Sequence, residues 1–322
     1  VMGEATQGEQ PVIRVQGMSR WYGQVIAVND INLDIAPGVT GLLGPNGAGK
    51  STLMKVMTGQ LRPSKGQVRI FGMPVWNNGD VHSRIGLCPE QDAFYEDMSS
   101  LAFVSLLLRL HGFLAVEADK MARKTLEVVE LSERMNDPIR TYSKGMRQRT
   151  KLAQAIAHDP DVLFLDEPLT GTDPIGRRKI IDLIQEMGDR GKTVVVSSHV
   201  LHEVEAMTSE ILLINKGRVI ADGDVYQIRD MIDDHPHAIF IDADKPRLLA
   251  QLLVDFEDVL SVNFEEDGVR VTTNAPAVCY QRIPKIALEN QIKLRRLSSP
   301  DNNLEAVFKY LTAMGYKQSA GA

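Results

Sequence analysis

Gly44-Pro45-Asn46-Gly47-Ala48-Gly49-Lys50-Ser51 fits the pattern G-x-x-x-x-G-K-[ST] at every fixed position. In such a loop the glycines let backbone N–H groups converge on phosphate oxygens, and the N-terminus of the following helix adds positive potential. Lys50 is placed to bridge β- and γ-phosphates, and the Ser51 hydroxyl to ligate magnesium. A second constellation follows the apolar run 162–165, which ends in Asp166-Glu167-Pro168. A carboxylate at the carboxyl end of a central strand lies where ligands bind in open α/β sheets. Asp166 suits a magnesium ion held through water, and Glu167, one residue on, suits the polarising of an attacking water. His199 ends another apolar run, where its imidazole can donate a hydrogen bond to a γ-phosphate at neutral pH. The chemistry indicated is attack of water on a nucleoside triphosphate.

These groups need a scaffold, and the hydropathy pattern supplies one. Residues 39–43 read as an apolar strand entering the glycine-rich loop, and residues 51–57 as a helix leaving it. The runs 162–165, 193–197 and 211–214 are apolar on both faces, which predicts parallel strands buried on both sides. Shorter β-type runs lie at 12–16 and 31–35, and helix-length segments separate the later strands. Residues 11–228 are therefore expected to form an α/β domain, with a helical insertion over about 97–158. Beyond it the order changes to strand 238–241, helix 246–256, strand 259–264, strand 269–273, helix 277–289 and strand 293–298. That βαββαβ order predicts a small α+β, ferredoxin-like domain over 229–322, closed by a last helix at 304–311. Residues 1–10 read as a disordered tail, and no period of about 20–50 residues repeats.

A phosphate loop with a carboxylate would fit many NTPases. Tyr142-Ser143-Lys144-Gly145-Met146-Arg147-Gln148-Arg149, just before the acidic strand, is more specific. It resembles the signature loop of the nucleotide-binding subunits of ATP-binding cassette (ABC) transporters. Tyr22 in Arg20-Trp21-Tyr22-Gly23 resembles that family's adenine-stacking aromatic, with Trp21 as the alternative. Gln91 in Pro89-Glu90-Gln91 is similar to the Q-loop glutamine, Gly171-Thr172-Asp173-Pro174 to the D-loop, and Ser198-His199 to the switch histidine. The resemblance covers residues 12–224 and implies a P-loop NTPase core of ABC type with a helical subdomain. It implies ATP and magnesium as ligands. ATP would be held by Tyr22, Gly44, Asn46, Gly47, Gly49, Lys50, Ser51 and Thr52, and by Ser143, Gly145 and Asp173 across a pair of subunits. Glu167, His199 and Gln91 would be catalytic, and Ser51, Gln91 and Asp166 would hold the metal. The expected partners are separate membrane-spanning permease subunits, met through residues 92–99, and a second nucleotide-binding subunit in a homodimer. The expected place is the cytoplasmic face of a membrane. Two departures stand out: Ser-Lys-Gly-Met replaces the commoner Ser-Gly-Gly-Gln, and Thr172 stands where Leu is usual. Neither removes a catalytic group. The Lys-Gly-Met-Arg-Gln form is similar to an exporter branch in which an appended carboxyl-terminal domain also occurs.

Composition narrows the alternatives. In 322 residues, 36 Lys and Arg face 42 Asp and Glu, and 43% of residues are hydrophobic, as in an ordinary globular protein. Residues 230–322 hold 14 acidic and 10 basic residues, four of the net −6, so nucleic acid is not an expected partner. No apolar stretch reaches the length of a membrane-spanning helix, since Ser105, Arg109 and His111 cut the nearest candidate. Cys88 and Cys279 cannot make a disulfide framework, which points to a reducing compartment. Cys88 reads as a small packed hydrophobe, the 13 methionines as core filler, and His235 with His237 as too few ligands for zinc. Lys293, Arg295 and Arg296 read as a solvated basic face. A soluble ATPase of the same family acting on ribosomes or DNA would have two cassettes, or a long coiled coil between Ser51 and Tyr142. A sensing module without turnover is disfavoured by the intact Glu167 and His199. The carboxyl-terminal domain is open to four roles: clamp, gate, binder of a regulator, or plain dimer contact.

Overall fold

Two kinds of strand pattern build two different sheets in the first of the two units into which the chain divides, at Asp224. The computed structural model describes residues 11–230, 237–265 and 268–299. Strands β1 (Ile13–Tyr22) and β2 (Val25–Ile35) bury alternate residues: Ile13 and Val15 on one, Ile31, Leu33 and Ile35 on the other. Arg14 and Asp34 point outward and pair at 3.0 Å. That alternation belongs to a sheet packed on one face only. Next come β3 (Gly38–Leu43), α1 (Lys50–Met57), β4 (Lys65–Ile70), β5 (Met73–Pro74), α2 (Gly79–His82) and β6 (Ile85–Cys88). The antiparallel sheet runs β2-β1-β4-β5. Its first two strands are longer than the predicted 12–16 and 31–35. Register shifts between Val15 and Met18, Met18 and Arg20, and Arg20 and Trp21 reset the alternation and hide the strand from a period-two reading.

The chain continues through α3 (Ser100–Leu110), α4 (Ala115–Val128), α5 (Lys144–Ile156), β7 (Val162–Asp166), α6 (Pro174–Asp189), β8 (Thr193–Ser198), α7 (Leu201–Glu205), β9 (Glu210–Asn215) and β10 (Arg218–Asp224). Every residue of β7 and β8 is buried. They lie inside a six-stranded sheet, β10-β9-β3-β8-β7-β6, parallel except for the β9–β10 hairpin. Strands apolar on both faces need a cover on both. Val162, Phe164, Val195, Leu212 and Ile214 pack with the antiparallel sheet and α1. Leu163, Leu165, Val194 and Val196 pack with α3, α4, α5 and α6. Ser99, Ser143 and Asp173 cap α3, α5 and α6 by accepting hydrogen bonds from Ala102, Met146 and Gly176. Two of these three caps are residues singled out for function.

The second unit contains α8 (Val225–Asp230), β11 (His237–Ala243), α9 (Pro246–Val254), β12 (Val259–Glu265), β13 (Gly268–Thr273), α10 (Pro276–Glu289) and β14 (Leu294–Ser298). Its sheet runs β12-β13-β11-β14 with every neighbour antiparallel, the connectivity of a ferredoxin-like unit. Ile239, Ile241, Val269 and Val271 turn to one face, where Leu249 and Leu253 of α9 and Ile283 and Ile286 of α10 cover them. The basic strand is a solvated face as expected, with Lys293, Arg295 and Arg296 all exposed. On it Arg295 bonds Asp242 at 2.8 and 2.9 Å, and the Arg296 guanidinium lies 5.8 Å from the Phe240 ring centroid. The predicted tail 1–10, the helix 304–311 and His235 lie outside the described residues.

Candidate active site

The phosphate loop leaves β3 and turns into α1, as the sequence requires. Gly49 caps the helix in the left-handed region, φ 108°, and a Cβ there would come within 2.7 Å of Ala27 O. A Cβ on Gly44 would meet Ile214 O at 2.3 Å. No side chain caps α1 and no acidic residue stands in its first turn, so its leading N–H groups remain available to an anion. Lys50 is buried and folds back into the loop, donating to Gly44 O at 2.8 Å and Pro45 O at 3.4 Å. Its ammonium already sits within the curve where phosphate oxygens would replace the carbonyls. Asn46 and Gly47 are exposed on the loop, and Ser51 and Thr52 are half-buried on the first turn of the helix.

Asp166 ends β7 as a buried carboxylate, hydrogen-bonded by the Ser197 hydroxyl of the adjacent strand β8. Glu167 follows in the left-handed region at φ 51°, and its N–H reaches Ser197 O at 3.2 Å and Ser197 Oγ at 3.1 Å. Ser197 therefore fixes both acidic residues. Both Glu167 carboxylate oxygens lie 2.9 Å from His199 Nδ1. Burial pushes the Glu167 carboxyl above its ordinary value. The His199 hydrogen bond and the charge of Lys50 pull it back, and Asp166 adds to the rise. Lys50, Asp166, Glu167 and His199 thus share one electrostatic neighbourhood built from β3, β7 and β8.

Ser143 and Gly145 form a second locus at the start of α5. A Cβ on Gly145 would lie 3.4 Å from Gly171 O, which places the signature loop against the 171–173 turn of the same chain. Asp173 is exposed, and the Gly176 N–H holds its carboxyl below the usual range. Tyr22 and Trp21 are 45% and 43% exposed, so exposure does not choose between them; the Arg20 guanidinium lies 5.0 Å over the Tyr22 ring. Gln91 is exposed on the loop after β6. Among the described residues no group of three or more His, Cys, Asp or Glu side chains could hold a metal. The magnesium reading therefore rests on Ser51, Asp166 and Gln91, which offer the hard oxygens this ion takes.

Two residues escaped the sequence reading. Ser197 looked like a strand residue, although two acidic neighbours depend on it. Lys151, which nothing in the motifs singled out, is buried and bonds Glu90 O at 2.7 Å and Asp92 at 3.1 Å. Its place between Gln148 and Leu152 on the buried stripe of α5 was the available signal. Cys88 is fully buried, and burial pushes its thiol up to about 12, as befits a packed hydrophobe.

Known proteins resemble this chain in sequence and in fold. The sequence pattern of the family described as ABC transporter matches residues 28–170. The bacitracin transport ATP-binding protein BcrA of Enterococcus faecalis is 30% identical over 307 residues, spanning 94% of this chain and 97% of that protein. The Nod factor export ATP-binding protein I of Cupriavidus metallidurans is 30% identical over 306 residues, spanning 94% of this chain and 97% of its own. The solved structure of cbiO1 from Clostridium perfringens, part of an ABC transporter complex, matches 69% of this chain and 92% of that one. Its TM-score is 0.60 at 27% identity.

Proposed function

This chain belongs to the ABC transporter family as an ATP-binding, ATP-hydrolysing subunit, and we propose that it drives export through separate membrane-spanning chains. Two features support the exporter reading: the Lys-Gly-Met-Arg-Gln signature, and relatives named for bacitracin transport and Nod factor export that run nearly the whole chain, second unit included. No described helix is long and apolar enough to cross a membrane. By the pattern of the family, the pore lies on partner chains and this subunit on the cytoplasmic face of the membrane.

The observation that carries the mechanism is the half-buried Glu167 carboxylate held by His199 beside the phosphate loop. Glu167 takes the proton of the attacking water. Because Nδ1 of His199 faces Glu167, Nε2 is the nitrogen left to meet a γ-phosphate oxygen. Lys50 exchanges its carbonyl partners for phosphate oxygens, and the uncapped N-terminus of α1 receives the rest of the charge. Tyr22 is the adenine platform, worth about 1–3 kcal/mol of stacking. Magnesium, when bound, neutralises charge on the β- and γ-oxygens, and Ser51, Asp166 and Gln91 are the residues that would hold it. In a homodimer, Ser143, Gly145 and Asp173 of each copy complete the nucleotide site of the other. Residues 92–99 meet the membrane chains.

Glu167→Gln tests this directly. It should bind ATP but lose turnover by about two to four orders of magnitude, the usual worth of a general base. Lys50→Ala should lose ATP binding. Glu167→Gln protein purified with ATP from detergent-solubilised native membranes should bring down a multi-spanning chain. Turnover at the wild-type rate would remove Glu167 as the base. Ribosomal proteins in place of a membrane chain would overturn the transporter assignment.

A further inference from the structure

Helix α5 lies hard against β6 and the loop that carries Gln91. The approach is close enough that a Cβ on Gly86 would meet Ala155 O at 2.1 Å. Farther along the same face, buried Gln148 reaches Cys88 Sγ at 3.7 Å. Next comes Lys151, only 4% exposed, whose Nζ donates to Glu90 O at 2.7 Å and pairs with Asp92 Oδ1 at 3.1 Å. The residues on either side of Gln91 are both held by one ammonium group. Arg147 extends the grip, bonding Asp92 at 3.4 Å and Glu96 at 2.8 Å, with its guanidinium 5.8 Å from the Phe94 ring centroid. Gln91 itself is exposed, so its position is set by its neighbours and not by packing of its own side chain.

We propose that Lys151 is a positioning residue for Gln91, fastening the glutamine to the helix that begins at the signature serine. A lysine is buried only at a desolvation cost, and an apolar residue would fill this stripe of α5 at least as well. What the ammonium adds is direction: one bond to a backbone carbonyl and one to a carboxylate fix the loop on both sides of Gln91. Ser143 caps the same helix two turns earlier, about 12 Å away along the axis. Any shift of α5 that follows engagement of the signature loop is thereby carried to Gln91. This rests on the reading of Gln91 as a group that meets the nucleotide.

The test is a double-mutant cycle on the purified full-length subunit. Lys151→Met should lower kcat by about ten- to a hundredfold, the scale of a small misplacement of a reacting group, with KM for ATP unchanged. It should add nothing in a Gln91→Ala background. Hydrogen exchange should quicken in residues 89–96 while α5 stays protected, a pattern that general destabilisation would not produce. Lys151→Arg should recover part of the rate. If Lys151→Met does not fold, Asp92→Asn removes the same anchor from the loop side and should couple to Gln91→Ala in the same way. Gln91→Ala at the wild-type rate would overturn the role of Gln91 itself. A slow Gln91→Ala with either anchor variant at the wild-type rate, or losses that multiply in the double variant, would overturn the role of Lys151.

Discussion

Glu167 combines three features that a merely structural carboxylate avoids. Its backbone sits at φ 51°, a region that strains any residue with a Cβ, and it stays there because Ser197 takes its N–H. Its side chain is 12% exposed, and burial raises its pKa against the pull of His199. A raised carboxyl pKa means that the folded state binds the proton more tightly than the unfolded chain does. The group's stabilising contribution is therefore complete below the unfolded value and is lost as pH climbs through the folded one. At neutral pH the ionised carboxylate costs the fold stability, a cost that a catalytic base can justify. Glu167→Gln keeps the shape and removes the charge. Without nucleotide it should melt above wild type at neutral pH, and the gap should close as pH falls below the ordinary carboxylate range of about 4. Differential scanning calorimetry across that range checks the sign. A variant that melts lower at neutral pH would mean that the His199 bond outweighs burial.

At the scale of elements, α5 joins the signature loop to the loop after β6, and it is anchored at its start by Tyr142. That phenol donates to Arg134 O at 2.6 Å and shares a 2.9 Å bond with the Ser100 hydroxyl of α3, in a pocket that leaves Tyr142 buried. Tyr142→Phe keeps the ring and leaves both partners short of a bond, which should cost about 1–3 kcal/mol, read from the urea midpoint. An unchanged midpoint would show that the anchor lies in the ring alone. The same elements mark what could be read from the residues and what could not. β7 and β8 are legible because they are apolar on both faces and short. The full extents of β1 and β2 are not, because bulges break the alternation that a reader counts. Lys151 is half legible: helical spacing with Gln148, Leu152 and Ala155 puts it inside, and a buried charge demands a partner. The partners are the Glu90 backbone carbonyl, 61 residues earlier in the chain, and the Asp92 carboxylate, and only the fold brings them to Lys151. Ser197 is hidden in the same way, since its value depends on β7 lying beside β8. Arg295 is legible as an exposed residue, but its partner Asp242 is not, because it comes from a neighbouring strand.

At the scale of the molecule, each unit has a core of its own. Ile239, Ile241, Val269 and Val271 with α9 and α10 make one, and the two layers on the six-stranded sheet make the other. A unit with its own core is expected to unfold as its own cooperative step. All residues proposed to hold ATP belong to the first unit, from Tyr22 to His199. Ligand at about a hundred times its Kd adds about 2.7 kcal/mol to whatever unfolds with the site. For a unit of roughly 200 residues that raises the midpoint by about 5–11 °C. The full-length Glu167→Gln protein, scanned with and without ATP, should therefore show one transition that climbs by that amount and one that stays. If ATP also pairs two copies, the climbing transition should move further as protein concentration rises, because unfolding then separates the pair. A second transition that climbs with the first would mean that nucleotide energy reaches the carboxyl-terminal unit, as a clamp or a gate requires. A second transition that stays still under saturating ATP would confine that unit to contacts that do not sense the nucleotide.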